Sequence, residues 1–163
     1  MWCDAIVRNA ADDDFASRIV DYVDIPWDQR RSTLKARSRG GEEIRVLLPR
    51  GQILRHGDVL FEDETRAVVV NVLPCELLVV RSDNSRLMIE LALELGNLHW
   101  PTQVTETEII FPEEPEAVAA AKRLGLEAFR EMRRFEPLPV LAMRVRSAES
   151  LRIFRSNDGA ARQ

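Results

Sequence analysis

The chain has 163 residues, 45% apolar, 31% charged and 6% aromatic, which fits one or two small globular domains and excludes collagen-like, coiled-coil and wholly disordered chains. A formal net charge of −4 argues against a surface built throughout for nucleic acid, and Cys3 and Cys75 are too few for a disulfide scaffold or a zinc ribbon. The longest apolar stretch, Ala67 to Val80, is broken by Asn71, Pro74 and Glu76, so no membrane span is expected; the acidic start is not a secretory signal, and the cytoplasm is the expected compartment.

Residues 1–17, with the Asp12 to Asp14 run and little periodicity, read as a flexible extension. Residues 18–73 carry short runs of period two, such as Glu43 to Leu48, separated by the turn signals Pro49-Arg50-Gly51 and Arg55-His56-Gly57-Asp58. That pattern predicts a small β-rich domain. Ala67 to Leu73 is apolar on both faces, and Pro74, which cannot donate to a strand ladder, marks the domain boundary.

Residues 74–144 alternate strand and helix signals. Leu77 to Arg81 is strand-like, and Ser82 to Ser85 offers N-caps for a helix whose apolar face is Leu87, Met88, Leu91, Ala92 and Leu95. Glu90 and Glu94 share its outer face, and Gly96 is expected to stop it. Short strands are predicted at Gln103 to Thr105 and Glu108 to Phe111. Pro115 then opens a second helix with a buried stripe of Val118, Ala121 and Leu124, closed by Gly125. A last strand falls within Leu126 to Val140. The order β-α-β-β-α-β is the split, ferredoxin-like arrangement, so the fold class is α+β: a small β-rich amino-terminal domain, then a ferredoxin-like carboxy-terminal one. Residues 145–163 read as a disordered tail.

Charge is spread unevenly. From Arg30 to Arg55 eight basic residues stand against Glu42 and Glu43, a local balance of +6. A solvated strand face accounts for this, as does a docking face for an acidic protein partner built on Arg30, Arg31, Arg37 and Arg50. Nucleic acid is disfavoured because no aromatics are interleaved for base stacking. No catalytic triad, metalloprotease helix or glycine-rich phosphate loop is present, so neither hydrolase chemistry nor nucleotide binding is expected. Of the two histidines, His56 reads as an exposed turn residue. His99 sits between a helix stop and Trp100-Pro101, where its backbone is restricted, and on physical grounds it is either a packed structural residue or a ligand.

Three motifs shift that balance: Leu48-Pro49-Arg50-Gly51, then Leu54 with Gly57-Asp58-Val59-Leu60, then Leu95-Gly96-Asn97-Leu98-His99-Trp100-Pro101. Together they resemble the UreE family, urease accessory proteins that act as nickel metallochaperones, over roughly Ile25 to Pro137. The resemblance implies an amino-terminal domain that docks partners and a carboxy-terminal domain that forms a homodimer and binds metal. It puts His99 at the family's principal metal-binding position, paired with its copy near the two-fold axis. Nickel(II) is then the cargo, zinc(II) or copper(II) would also bind in vitro, and the partners are urease apoprotein and its accessory complex, including a GTPase. The chain departs from the family where Glu113 and Pro115 replace further histidines, and the tail carries none. Glu113, which also suits a helix start, and Cys75, which also suits an apolar pocket, remain secondary ligand candidates. One low-capacity site per dimer is expected. The rival reading is a diverged UreE-like adaptor that binds a protein partner and has lost metal transport.

Overall fold

The computed structural model describes residues 1–10, 15 and 18–137. The amino-terminal half stacks two sheets. One has the order β1-β5-β4, from β1 (Trp2–Cys3), β4 (Thr33–Arg37) and β5 (Glu43–Leu47); the other, β2-β6-β7-β3, is built from β2 (Arg8–Asn9), β3 (Ile19–Ile25), β6 (Asp58–Glu62) and β7 (Arg66–Val72). Period two explains the packing: Ile44, Val46 and Leu48 point inward to meet Val68, Val70, Val72, Val23 and Ile25 in one core. Strand β7 lies between β6 and β3, and its alternate residues Ala67 and Val69 enter a second cluster on the other face. This is why Ala67 to Val70 is an unbroken apolar run within it.

The expectation of a flexible extension over residues 1–17 is corrected for residues 1–10. Trp2 and Cys3 pair in parallel with Arg45 and Val46, Cys3 is buried in the core, and Arg8 and Asn9 pair with Val59 and Asp58. The Arg8 guanidinium donates twice to Glu62, at 2.8 Å each, which anchors β2 to β6. Strands of two residues carry no periodicity, so these contacts leave no pattern to read.

The second half holds one antiparallel sheet, β11-β8-β10-β9, from β8 (Cys75–Arg81), β9 (Gln103–Val104), β10 (Glu108–Phe111) and β11 (Ala128–Arg133). Helices α1 (Ser85–Asn97) and α2 (Pro115–Arg123) cover one face, where Leu78, Val80, Ile109 and Phe111 pack against Leu91, Leu95, Ala117 and Ala120. Asn84 caps α1 by accepting the Leu87 N–H at 3.3 Å. The buried stripe of α2 is Ala117, Ala120 and Ala121, with Val118 and Leu124 only partly covered, so the expected stripe is shifted toward alanines that let the helix lie close to the sheet. The tail expected at residues 145–163 lies outside the described residues.

The opposite face of this sheet meets the amino-terminal domain. Leu77, Val79, Ile110 and Phe135 form a small core that Trp27 and Cys75 complete, with the Trp27 and Phe135 rings edge to face at 4.9 Å between centroids. The segment after β11 then straps the halves together. The Arg134 Nε donates to the Val72 carbonyl at 3.2 Å, the Glu136 carboxylate accepts the His56 N–H at 2.8 Å, and the Glu136 N–H donates to the Gln103 side chain at 2.8 Å.

Candidate metal site and partner-facing surface

His99 follows α1. Leu98 is the C-cap, and His99 takes the next position with φ 57°, in the left-handed region that glycine enters freely and other residues seldom, asparagine, aspartate and histidine more often than the rest. The His99 N–H donates to the Gly96 carbonyl at 3.1 Å and the Trp100 N–H to the Leu95 carbonyl at 3.1 Å. These are the two bonds of a Schellman motif, and the half-buried Trp100 packs into the cluster that contains Leu95. Gly96, expected to stop the helix, lies inside it; the left-handed stop is His99 itself.

Helix α2 supplies the comparison. It ends with the same two bonds, Gly125 N–H to Lys122 and Leu126 N–H to Ala121, both at 3.0 Å, but its left-handed residue is glycine at φ 69°. One chain thus builds the same stop twice, once with the residue the geometry favours and once with an exposed imidazole. A left-handed non-glycine costs roughly 1–2 kcal/mol, so glycine would suit this backbone position better than histidine.

The other ligand candidates are engaged elsewhere. Glu113 lies before α2 and is clasped by the Arg130 guanidinium, whose Nε reaches its Oε2 at 2.7 Å. Arg130 holds that carboxyl below its usual range. Cys75 faces the core with Leu77, Val79 and Phe135, on the side of the sheet away from the helices, and burial pushes its thiol up, with Asp28 adding to the effect. Topology brings the start of β8 and the ends of α1 and β10 to one end of the sheet. Yet among the described residues no three His, Cys, Asp or Glu side chains group as a metal cage would require.

His56, expected as an exposed turn residue, is half-buried. It lines a cleft of about 540 Å³ with Tyr22, Arg39, Asn71 and Arg134, and its Nδ1 is buried without a hydrogen-bond partner among the described residues. Burial lowers its pKa, Arg134 lowers it further and Glu136 opposes them. Acid should therefore weaken the fold in two stages. A group whose folded pKa is depressed contributes fully above its unfolded value and loses that contribution as pH falls, so the His56 stage begins near pH 6.5. Asp24, held down by Arg39, Glu62 by Arg8 and Glu131 by Arg81 follow below about pH 4. Melting temperature against pH checks this, and His56→Gln should remove the upper stage only.

Of the four arginines expected to face a partner, Arg30 is corrected. It is 7% exposed, with Nε donating to the Leu54 carbonyl at 2.7 Å and one terminal nitrogen to the Phe135 carbonyl at 3.1 Å, and burial lowers its pKa. It joins the two halves of the chain. Position in the charge run could not distinguish it, because a buried guanidinium and an exposed one look alike in sequence. Arg31, Arg37 and Arg50 are exposed along β4 and the turn after β5. Sequence reasoning missed Trp2, 71% exposed and beside Arg45, and the outer face of α1, where Ile89 and Leu93 are 61% and 63% exposed. The i, i+4 spacing of Ile89 and Leu93 on the side of α1 away from Leu91 and Leu95 was the available signal.

Two family models match. Residues 4–73 match the UreE urease accessory protein N-terminal domain and residues 75–150 the corresponding C-terminal domain. Relatives named urease accessory protein UreE include those of Flavobacterium johnsoniae, 33% identical over 63% of this chain and 64% of the relative, and Paraburkholderia xenovorans, 36% identical over 68% and 49%. The Acetivibrio thermocellus protein is 27% identical over 80% of this chain and 86% of its own length. The chain thus covers less than two thirds of the first and second of these three. No helix among the described residues is long and apolar enough to cross a membrane. With both halves matched by models that meet at Pro74, the chain belongs to the UreE family of urease accessory proteins.

Proposed function

We propose that this chain is a cytoplasmic, non-enzymatic nickel chaperone for urease maturation, working as a homodimer in which His99 of each copy contributes an imidazole to one shared ion. The observation that carries the reading is the histidine held at a left-handed helix stop where α2 uses glycine. Imidazole nitrogen suits nickel(II), and also zinc(II) and copper(II), while two donors from an isologous contact give a site open enough to release its cargo. Glu113 and Cys75 are left outside this ligand set because one is clasped by Arg130 and the other faces the opposite core.

The face of α1 that carries Ile89 and Leu93 supports pairing between copies. Gly96 falls on the same side at i+7, is exposed, and an added Cβ would meet nothing within 4 Å. A helical glycine costs about 1 kcal/mol relative to alanine, and no contact among the described residues requires it, which fits close approach by a second copy. A shallow groove of about 230 Å³ lined by Met88, Ile89, Ala92 and Val104 continues this surface. We read the domain from residue 74 to 144 as ferredoxin-like on its sheet order, and residues 18–73 as the partner-docking domain, with Arg31, Arg37 and Arg50 facing the urease apoprotein or its GTPase-containing accessory complex.

Nickel titration calorimetry on protein of known oligomeric state tests this. Wild type should take up half an equivalent per chain at micromolar affinity, and His99→Ala should take up none. Absent or unchanged binding would favour the rival, a protein adaptor without metal transport, to which the engaged Glu113 carboxylate lends support; partner capture indifferent to chelator would then be expected.

A further inference from the structure

The cleft beside His56 takes no part in metal binding, yet its lining is chemically specific. Its floor is the outer face of the β2-β6-β7-β3 sheet, where Tyr22 stands opposite Val69 and Asn71 lies two residues further along that face. Phe15 joins Tyr22 and Val69 in one apolar cluster there. Two guanidinium groups converge on this floor, Arg39 from the turn before β5 and Arg134 from the strap after β11. Arg39 is fixed by Asp24, with Nε to Oδ2 at 2.9 Å and Nη2 to Oδ1 at 2.8 Å, and Asn71 holds the same carboxylate at 2.6 Å. Its Nη1 is left over. Arg134 uses only its Nε, on the Val72 carbonyl at 3.2 Å, so both terminal nitrogens lack an acceptor among the described residues. No carboxylate lines the cleft among the described residues: Asp24 is taken as above, and Glu136 accepts the His56 N–H.

Unused guanidinium donors above an apolar floor make a receptor for an oxyanion that carries an apolar body. His56 adds a further donor. With Nδ1 sealed, Nε2 is the nitrogen left to meet a ligand, and it offers an N–H when it carries the proton of the neutral ring. We propose that this cleft binds a small organic oxyanion, a carboxylate or a phosphate monoester on a compact apolar body, its charged group between Arg39 and Arg134 and its body against Phe15, Tyr22 and Val69. The volume of about 540 Å³ is that of a small-molecule site. Tyr22, Val69 and Asn71 present the face of the sheet and not a strand edge, so the floor gives a peptide main chain nothing to pair with. Because Arg134 belongs to the strap that joins the two halves, a bound anion also fastens that strap. Neither His99 nor metal takes part.

The test titrates full-length protein in EDTA with benzoate and with phenyl phosphate, followed by proton NMR. The chain has two histidines, so comparison with His56→Gln assigns the His56 imidazole signals. Both anions should move those signals, leave the His99 signals in place and raise the His56 pKa, which Arg134 otherwise lowers and Glu136 raises. Dissociation constants of about 1 mM or below are expected for ligands this small. Arg134→Gln should weaken both anions by about tenfold or more, and Arg134→Lys should restore part of the loss. Since Arg134 also holds the strap, melting is followed in parallel: saturating anion should raise the melting temperature of wild type and leave that of Arg134→Gln unmoved. Phenethylammonium, with a like ring and the opposite charge, should not move the His56 signals, and inorganic phosphate should bind more weakly than phenyl phosphate. His56 signals that stay fixed, equal affinity in Arg134→Gln, or phenethylammonium binding as well as benzoate would each overturn the assignment, and inorganic phosphate binding as tightly as phenyl phosphate would overturn the part given to the apolar floor. His99→Ala should bind both anions as wild type does, so failure here and failure of nickel uptake are separate results.

Discussion

His99→Gly is expected to abolish nickel uptake and at the same time raise the melting temperature. The two effects have separate causes. The imidazole is the proposed ligand, whereas the strain belongs to the backbone, which stands at φ 57° in a position that α2 fills with Gly125. Glycine enters that region without the Cβ clash, so relief of roughly 1 kcal/mol is expected after the greater freedom of glycine in the unfolded chain is counted. For a chain of this size that corresponds to about 2–4 °C. His99→Ala loses the ligand and keeps the clash, so it should not gain stability. Calorimetric melting of both variants beside nickel titration checks the pair, and equal melting of the two would mean that the left-handed stop stores no strain.

Arg30→Ala should destabilise the junction between the two halves strongly while leaving His99 untouched. It strips the donor from two carbonyls, Leu54 in one half of the chain and Phe135 in the other. Each carbonyl left without a partner costs about 1–3 kcal/mol, so a loss near 3 kcal/mol and a fall of roughly 6–12 °C are expected. Arg30→Lys should rescue only part of this, because an ammonium lacks the planar fork that reaches two acceptors at once. Urea unfolding followed by Trp27 fluorescence is the measurement, since the Trp27 ring packs against Phe135 at the same junction. An alanine variant as stable as wild type would show that the junction is held by its rings alone.

The sequence made the carboxy-terminal half readable because its elements are long and periodic. The α1 face of Leu91 and Leu95, the Pro115 opening of α2 and its Gly125 stop were all legible. The amino-terminal half was legible as β structure but not as two stacked sheets, since β1 and β2 have two residues each and acquire meaning only through partners more than 40 residues away. At the candidate metal site the residue was visible and its backbone was not. Gly96 is the obvious helix stop, and only the bonds from His99 and Trp100 reveal that the stop falls three residues later. Arg30 shows the converse limit, for charge patterning counts a guanidinium without knowing which way it turns.

The strap from Arg134 to Glu136 bears on the order in which the chain can assemble. Arg30 leaves the ribosome 105 residues before its partner Phe135, so the amino-terminal sheets close around a guanidinium whose second acceptor does not yet exist. The two halves can each form their own core first, and their docking waits for the last described stretch of the chain. Shortening the chain just before Phe135 should therefore leave each half with its own core and the docking between them weakened.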